Sequence, residues 1–218
     1  MVKHLDELFT DLEQYRTAQE MRLYFEEKMK EINDSEELRK IVRLKQGKVK
    51  EFVEEFYPLT LFSQSKYFGL NSRGKVVLGN QGYDASIIQQ DGTEKKLEIT
   101  SYIDGEWEHK DAIRLNERGY GDMRFNDVKS LKERALDNLE KVLANIRNKS
   151  LKDYRGVSLL FVINTYDFFE AYNNDSQQFI DKLISEIKNF DFKAERVYLI
   201  RLKENTLSQV DSNTYVLK

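Results

Sequence analysis

The chain contains no cysteine. That excludes a disulfide framework, a thiolate-held zinc or iron–sulfur cluster, and a thiol nucleophile. It contains two histidines, His4 and His109, too few for a three-histidine metal site. A Ser-His-Asp triad would have to use one of them. One proline and ten glycines among 218 residues exclude collagen, proline-rich linkers and low-complexity architecture. Long apolar runs are missing too. The longest, Val157–Ile163, has seven residues, against the ~20 of a membrane-spanning helix. The first fourteen residues are acidic and amphipathic and lack the apolar centre of a signal peptide. The expectation is a soluble, cytoplasmic protein with no membrane partner. A net charge of −3 supplies no overall attraction to nucleic acid, so any such binding needs a local patch.

What the sequence does hold is enough chain for one large domain or two small ones, with a core that needs no staples. Residues 4–31 read as a helix, with Leu5, Leu8, Leu12, Tyr15, Met21, Phe25 and Met29 at helical intervals apart from a gap at 16–20. Asn33-Asp34-Ser35 breaks the pattern and offers Asp34 or Ser35 as the N-cap of a second helix over 35–56, which Pro58 is expected to close. The period then changes. Residues 75–79, 83–89 and 95–103 read as strands of an antiparallel meander, divided by turn-like Gly79–Gly82 and Gln90–Thr93. Helices follow over 106–118, stopped by Gly119, and over 127–148. The run 157–164 reads as a central strand buried on both faces, followed by a helix near 175–189, a strand over 196–202 and a short last strand near 214–217. The fold class is α/β, bordering on α+β: a mixed sheet flanked by helices. A helical extension over residues 1–34 precedes a core over 35–218, the two forming a single domain.

Chemistry concentrates between Tyr83 and Thr100. Asp84 opens one strand, and Glu98 lies in the middle of the next with Thr100 two residues on, where side chains share a face. Two carboxylates on neighbouring strands form a hard oxygen site suited to Mg²⁺ or Mn²⁺. The plainer reading stays open, because any half-solvated strand alternates polar and apolar residues. In the preceding helix Glu51, Glu54 and Glu55 could add a carboxylate. Glu51 and Glu55 are four apart on one face, and Glu55 flanks the apolar arc.

The pattern Asp84 … Leu97-Glu98-Ile99-Thr100, with a helix before it and a helix, strand, helix and strand after, resembles the core of the PD-(D/E)XK nuclease superfamily, the restriction-endonuclease-like fold. The resemblance runs over about residues 50–202. It implies metal-dependent hydrolysis of DNA phosphodiesters, with Asp84 and Glu98 holding Mg²⁺ or Mn²⁺ and Glu55 assisting. The sequence departs from the pattern in two places. Tyr83 stands where the family has proline, and Thr100 stands where it has a lysine that orients water and stabilises developing negative charge. Lys96, two residues before Glu98, or Lys110 or Arg114 on the following helix, would then supply the cation.

Phosphate partners need positive charge. Residues 38–50 contain six Lys/Arg and no acid, with Arg39, Arg43 and Lys50 on one side of the expected helix. Residues 129–155 hold eight Lys/Arg against four acids. Both runs also suit an ordinary solvated helix face. Two rivals to a nuclease remain at this stage. One is a non-catalytic member of the same fold that binds nucleic acid or protein. The other is an interaction protein that forms a homodimer through its N-terminal helices, marked by an exposed apolar face on residues 5–29.

Overall fold

The structure, a computed structural model, describes residues 8–79, 81–101, 105–120, 131–164, 177–202 and 208–218. The chain forms two compact units. The first comprises Met1–Glu94 and Ile103–Arg124, the second Lys95–Tyr102 and Phe125–Lys218. It is a mixed α/β protein, and among the described residues no helix is long and apolar enough to cross a membrane.

In the first unit the expected helix over 4–31 is interrupted: residue 8 is helical, residues 9–13 turn, and residues 4–7 lie outside the described residues. Arg16–Thr17 is a short strand (β1), and helix α1 spans Ala18–Asp34. The reason is local. Thr17 Oγ1 accepts from the Glu20 backbone N–H, while the Glu20 carboxylate accepts from the Thr17 N–H at 2.7 Å, a reciprocal capping box. Ser35 caps the next helix, α2 (Glu36–Arg43), through the Leu38 N–H. The single helix expected over 35–56 is broken. Lys45 and Gly47 have φ of 47° and 56°, and the chain resumes as α3 (Lys48–Glu51), a π-helical turn (Phe52–Phe56) and α4 (Tyr57–Ser63). Pro58 does not close the helix. It sits at the start of α4, directly after the wider π turn, in which the Tyr57 N–H reaches back to Phe52 O.

The π turn aims Phe52 and Phe56 inward, where they stack with each other, with Phe9 and Phe25, and edge-on with Tyr24. These contacts bury the apolar face of α1 within its own unit. Residues 8–34 therefore belong to this unit rather than to a separate extension, and Leu23, at 56% exposure, is the large apolar side chain α1 leaves in solvent. The surface that suggested a homodimer through the N-terminal helices is thus used internally. Strands β2 (Arg73–Val76) and β3 (Ala85–Ile88) form the expected antiparallel hairpin, and β1 pairs with β2. Helix α5 (Gly105–Arg118) ends at Gly119, whose φ of 79° is open to glycine. Asn116 on α5 donates to Lys40 O on α2 at 2.7 Å.

In the second unit β4 (Glu94–Ser101) pairs in parallel with β6 (Val157–Asn164), and β6 pairs in parallel with β8 (Val197–Leu202). The last strand, β9 (Thr214–Val216), lies antiparallel to β8, which makes this sheet mixed. Strands β5 (Asp153–Tyr154) and β7 (Lys193–Ala194) form a separate parallel pair. Helices α6 (Leu131–Ser150) and α7 (Gln177–Ile187) cover one face. There Leu139, Val142 and Ile146 pack with Leu159, Phe161, Phe179, Leu183 and Leu199. Every residue from Ser158 to Ile163 is buried, as the apolar run required.

Candidate functional site

The two units each hold part of the chemistry that the sequence singles out. In the first, the hairpin fixes Asp84 at the mouth of β3, where its backbone carbonyl accepts from the Val77 N–H at 2.9 Å. The inward stacking of Phe52 and Phe56 leaves Glu54 and Glu55 on the flank of the π turn. Burial pushes the Glu55 carboxyl up to about 8. The negative charges of Asp84, Glu51 and Glu54 push in the same direction, against the pull of Lys50. Glu55 thus lies within electrostatic reach of Asp84, Glu51, Glu54 and Lys50. One oxygen of Glu51, Oε2, is buried without a hydrogen-bond partner among the described residues, which is costly for a carboxylate.

In the second unit Glu98 lies beside Leu159 in register, and Thr100 beside Phe161, so both project toward the face covered by α6 and α7. Glu98 takes its ion pair from Lys149, at the C-terminal end of α6. The Lys149 Nζ lies 2.6 Å from Glu98 Oε1, with side-chain exposures of 20% and 13%. The Tyr154 hydroxyl donates to the same oxygen at 3.4 Å. Burial pulls the Lys149 ammonium down. The hydrogen bond and charge of Glu98 outweigh it, so its pKa stands above the ordinary lysine value. Burial and the Glu98 charge raise the Tyr154 phenol as well. The Thr100 hydroxyl is buried and has no hydrogen-bond partner among the described residues.

Lys149 and Tyr154 are the residues that sequence reasoning missed. The cation beside Glu98 was sought at Lys96, Lys110 or Arg114. Lys149 stands 51 positions further along the chain, in a helix whose charges read as a solvated face. A lysine in the last turn of the helix before the buried strand was the signal available.

The basic residues divide. The Arg39 guanidinium turns back to Asn33 O near the end of α1 and is occupied there. Arg114, on α5, is half-buried. Arg43 and Lys50 are exposed and line a cleft of about 280 Å³ with Lys45, Glu54, Glu108 and His109. Arg43 Nη1 also donates to Asn116 Oδ1 at 3.3 Å.

Among the described residues no three carboxylate or histidine groups converge as a closed metal cage. The donor set is one of oxygens, the ligands a hard cation takes: the Glu51 oxygen without a donor among the described residues, and the Glu55 carboxyl, raised by burial first and by its neighbours' charge second. Mg²⁺ commonly binds through one or two carboxylates and keeps several waters. Comparison with family models, with curated proteins and with solved structures gave no match.

Proposed function

We propose that this chain is a metal-dependent nuclease of the PD-(D/E)XK type that hydrolyses DNA phosphodiesters. The observation that carries the reading is the 2.6 Å contact between Lys149 and Glu98. The family pattern asks for a cation two residues after the glutamate, and Thr100 cannot provide it. Lys149 restores positive charge beside the same carboxylate from another element.

The residues that the resemblance assigns to Mg²⁺ or Mn²⁺ are Asp84, Glu98 and Glu55. The ion would supply an activated water and charge stabilisation at the phosphate. The rest is the work of the chain's own groups. Lys149 presents a fixed, half-buried ammonium whose positive charge favours the extra negative charge of a phosphoryl transition state. Tyr154, hydrogen-bonded to the oxygen that Lys149 holds, fixes where that carboxylate and ammonium sit. DNA backbone contacts fall to Arg43 and Lys50. Arg39, Arg114, Lys96 and Lys110 are second choices in these roles.

The test is cleavage of plasmid, linear duplex and single-stranded DNA with Mg²⁺ or Mn²⁺, with thermal melts to confirm folding. Wild type is expected to cleave. Glu98→Ala and Lys149→Ala are each expected to lose about 10²–10³-fold, the usual cost of one preorganised electrostatic group. Thr100→Lys is expected to leave wild-type activity unchanged or raised, and to restore part of the activity of Lys149→Ala. Wild type inert on every substrate with both metals would replace this reading with a non-catalytic module of the same fold, in which Lys149 simply neutralises Glu98.

A further inference from the structure

The cleft of the first unit lies where α2 ends, where α3 begins and where α5 starts. Its shape comes from the turn between α2 and α3, which needs positive φ at both Lys45 and Gly47. That turn brings Lys45 back over the opening. Its ammonium holds Glu108 at 2.6 Å and Glu54 at 3.6 Å. One lysine therefore engages both acids of the cleft. Arg43 and Lys50 then face the opening as its remaining fixed charges, with His109 beside them. Among the described residues Lys50 has no ion pair. Gly105, the first residue of α5, completes the wall.

We infer that this cleft is a phosphoryl-binding subsite, with Arg43 and Lys50 as the groups that contact the phosphate and Lys45 as the residue that keeps Glu54 and Glu108 from repelling it. The inference rests on the nuclease reading for its biological ligand, a nucleic-acid phosphate. The planar guanidinium of Arg43 matches phosphate oxygens in a fork, and Lys50 adds a point charge. The volume, about 280 Å³, falls just below the ~300–1,000 Å³ of small-molecule sites and suits a phosphate with its sugar rather than a whole base pair. Glu54 also belongs to the acidic group around Glu55. A phosphate held here therefore lies next to the carboxylates of this unit.

The phosphoryl group can come from a backbone diester or from a terminal monoester, and binding distinguishes them. Fluorescent single-stranded 12-mers, with and without a 5′-phosphate, are titrated in EDTA, with inorganic phosphate as competitor. Wild type is expected to bind. Arg43→Glu and Lys50→Glu should each weaken binding about tenfold or more and lower the salt slope by about one. Lys45→Met should also weaken it, because two uncompensated acids then face the ligand. Lys30→Glu, on the exposed side of α1, makes the same charge change away from the cleft and should cost less than about threefold.

A preference for the 5′-phosphorylated strand, with competition by inorganic phosphate, supports the subsite with a terminal phosphate as ligand. Equal binding of both strands without such competition supports it with a backbone diester. No binding by wild type, or cleft reversals no worse than Lys30→Glu, overturns it. Metal is absent throughout, so the two readings fail separately. Cleft-dependent binding by a protein that cleaves nothing removes the nuclease alone. Cleavage with cleft-independent binding removes the subsite alone.

Discussion

Lys149 and Tyr154 reach the same oxygen of Glu98 from separate elements, and their contributions can be separated. Lys149→Met leaves a largely buried carboxylate without its cation and is expected to cost about 1–3 kcal/mol. With Glu98→Gln in the same chain, part of that cost should vanish, giving a coupling of about 0.5–3 kcal/mol in a urea-denaturation cycle. A coupling near zero would show that the pair contributes nothing to stability. Lys149 has a raised pKa, so while Glu98 is ionised its contribution is full below about 10.4 and is lost as the pH rises through the folded value. Glu55 works the other way. In the folded chain its carboxyl holds a proton up to about pH 8, and unfolded it releases that proton near ~4.3. Between those values the folded state binds more protons, so this group's contribution to stability falls as the pH rises. Glu55→Gln should therefore match wild type near pH 5 and exceed it in stability at pH 9, in melts run across that range. Identical pH profiles would remove the burial argument. The acids themselves were legible in the sequence, because strand alternation and helical spacing mark Glu98 and Glu55. Their partners were not. A contact between residues 98 and 149 exists only once β4, β6 and α6 have packed.

At the scale of elements, the legible parts are those decided within a few residues. Ser35 as a cap, Gly119 as a stop and the Asp91-Gly92 turn each follow from local hydrogen bonding or from one glycine. The late start of α1 had a visible sign, the Thr17-x-x-Glu20 spacing of a capping box inside the gap at 16–20. The break between α2 and α3 was harder to see. Gly47 favours it, but Lys45 adopts positive φ just after the α2 cap, where its N–H donates to Val42 O, without the glycine that would mark it, and the π turn leaves no change in hydrophobic period to detect. Gly74 carries a constraint of another kind. A Cβ there would lie 2.8 Å from Met21 Cε and 3.2 Å from the Phe68 ring, so β2 approaches α1 too closely for a side chain. Gly74→Ala is expected to cost about 1–3 kcal/mol by overpacking. The Met21 end is the flexible side of that clash, so the added cost of Gly74→Ala should shrink in a Met21→Ala background. An equal cost in both backgrounds would place the strain on Phe68 instead.

At the scale of the whole molecule, neither unit is a continuous stretch of chain. The backbone leaves the first unit after Glu94, contributes β4 to the second, and returns at Ile103 for α5 before crossing again near residue 125. The expected division at residues 34 and 35 does not coincide with any passage of the chain between these units. A chain that passes between the units three times leaves no single linker to read. It also makes the second unit depend on eight residues far from the rest of it. Without β4, strand β6 loses its parallel neighbour from Lys96 to Ser101, and the fully buried run Ser158–Ile163 becomes a long apolar edge. Glu98 leaves with β4, and Lys149 then keeps its charge in a half-buried place without a counter-ion. A fragment of residues 125–218 is therefore expected to aggregate or to melt without a cooperative transition. A fragment of residues 95–218 should keep a cooperative transition, because it retains the β4–β6–β8 ladder and the Glu98–Lys149 pair. Circular dichroism melts and size-exclusion profiles of both fragments give the comparison. Cooperative unfolding of 125–218 at the same temperature as 95–218 would show that β4 is an accessory edge rather than part of this unit's core.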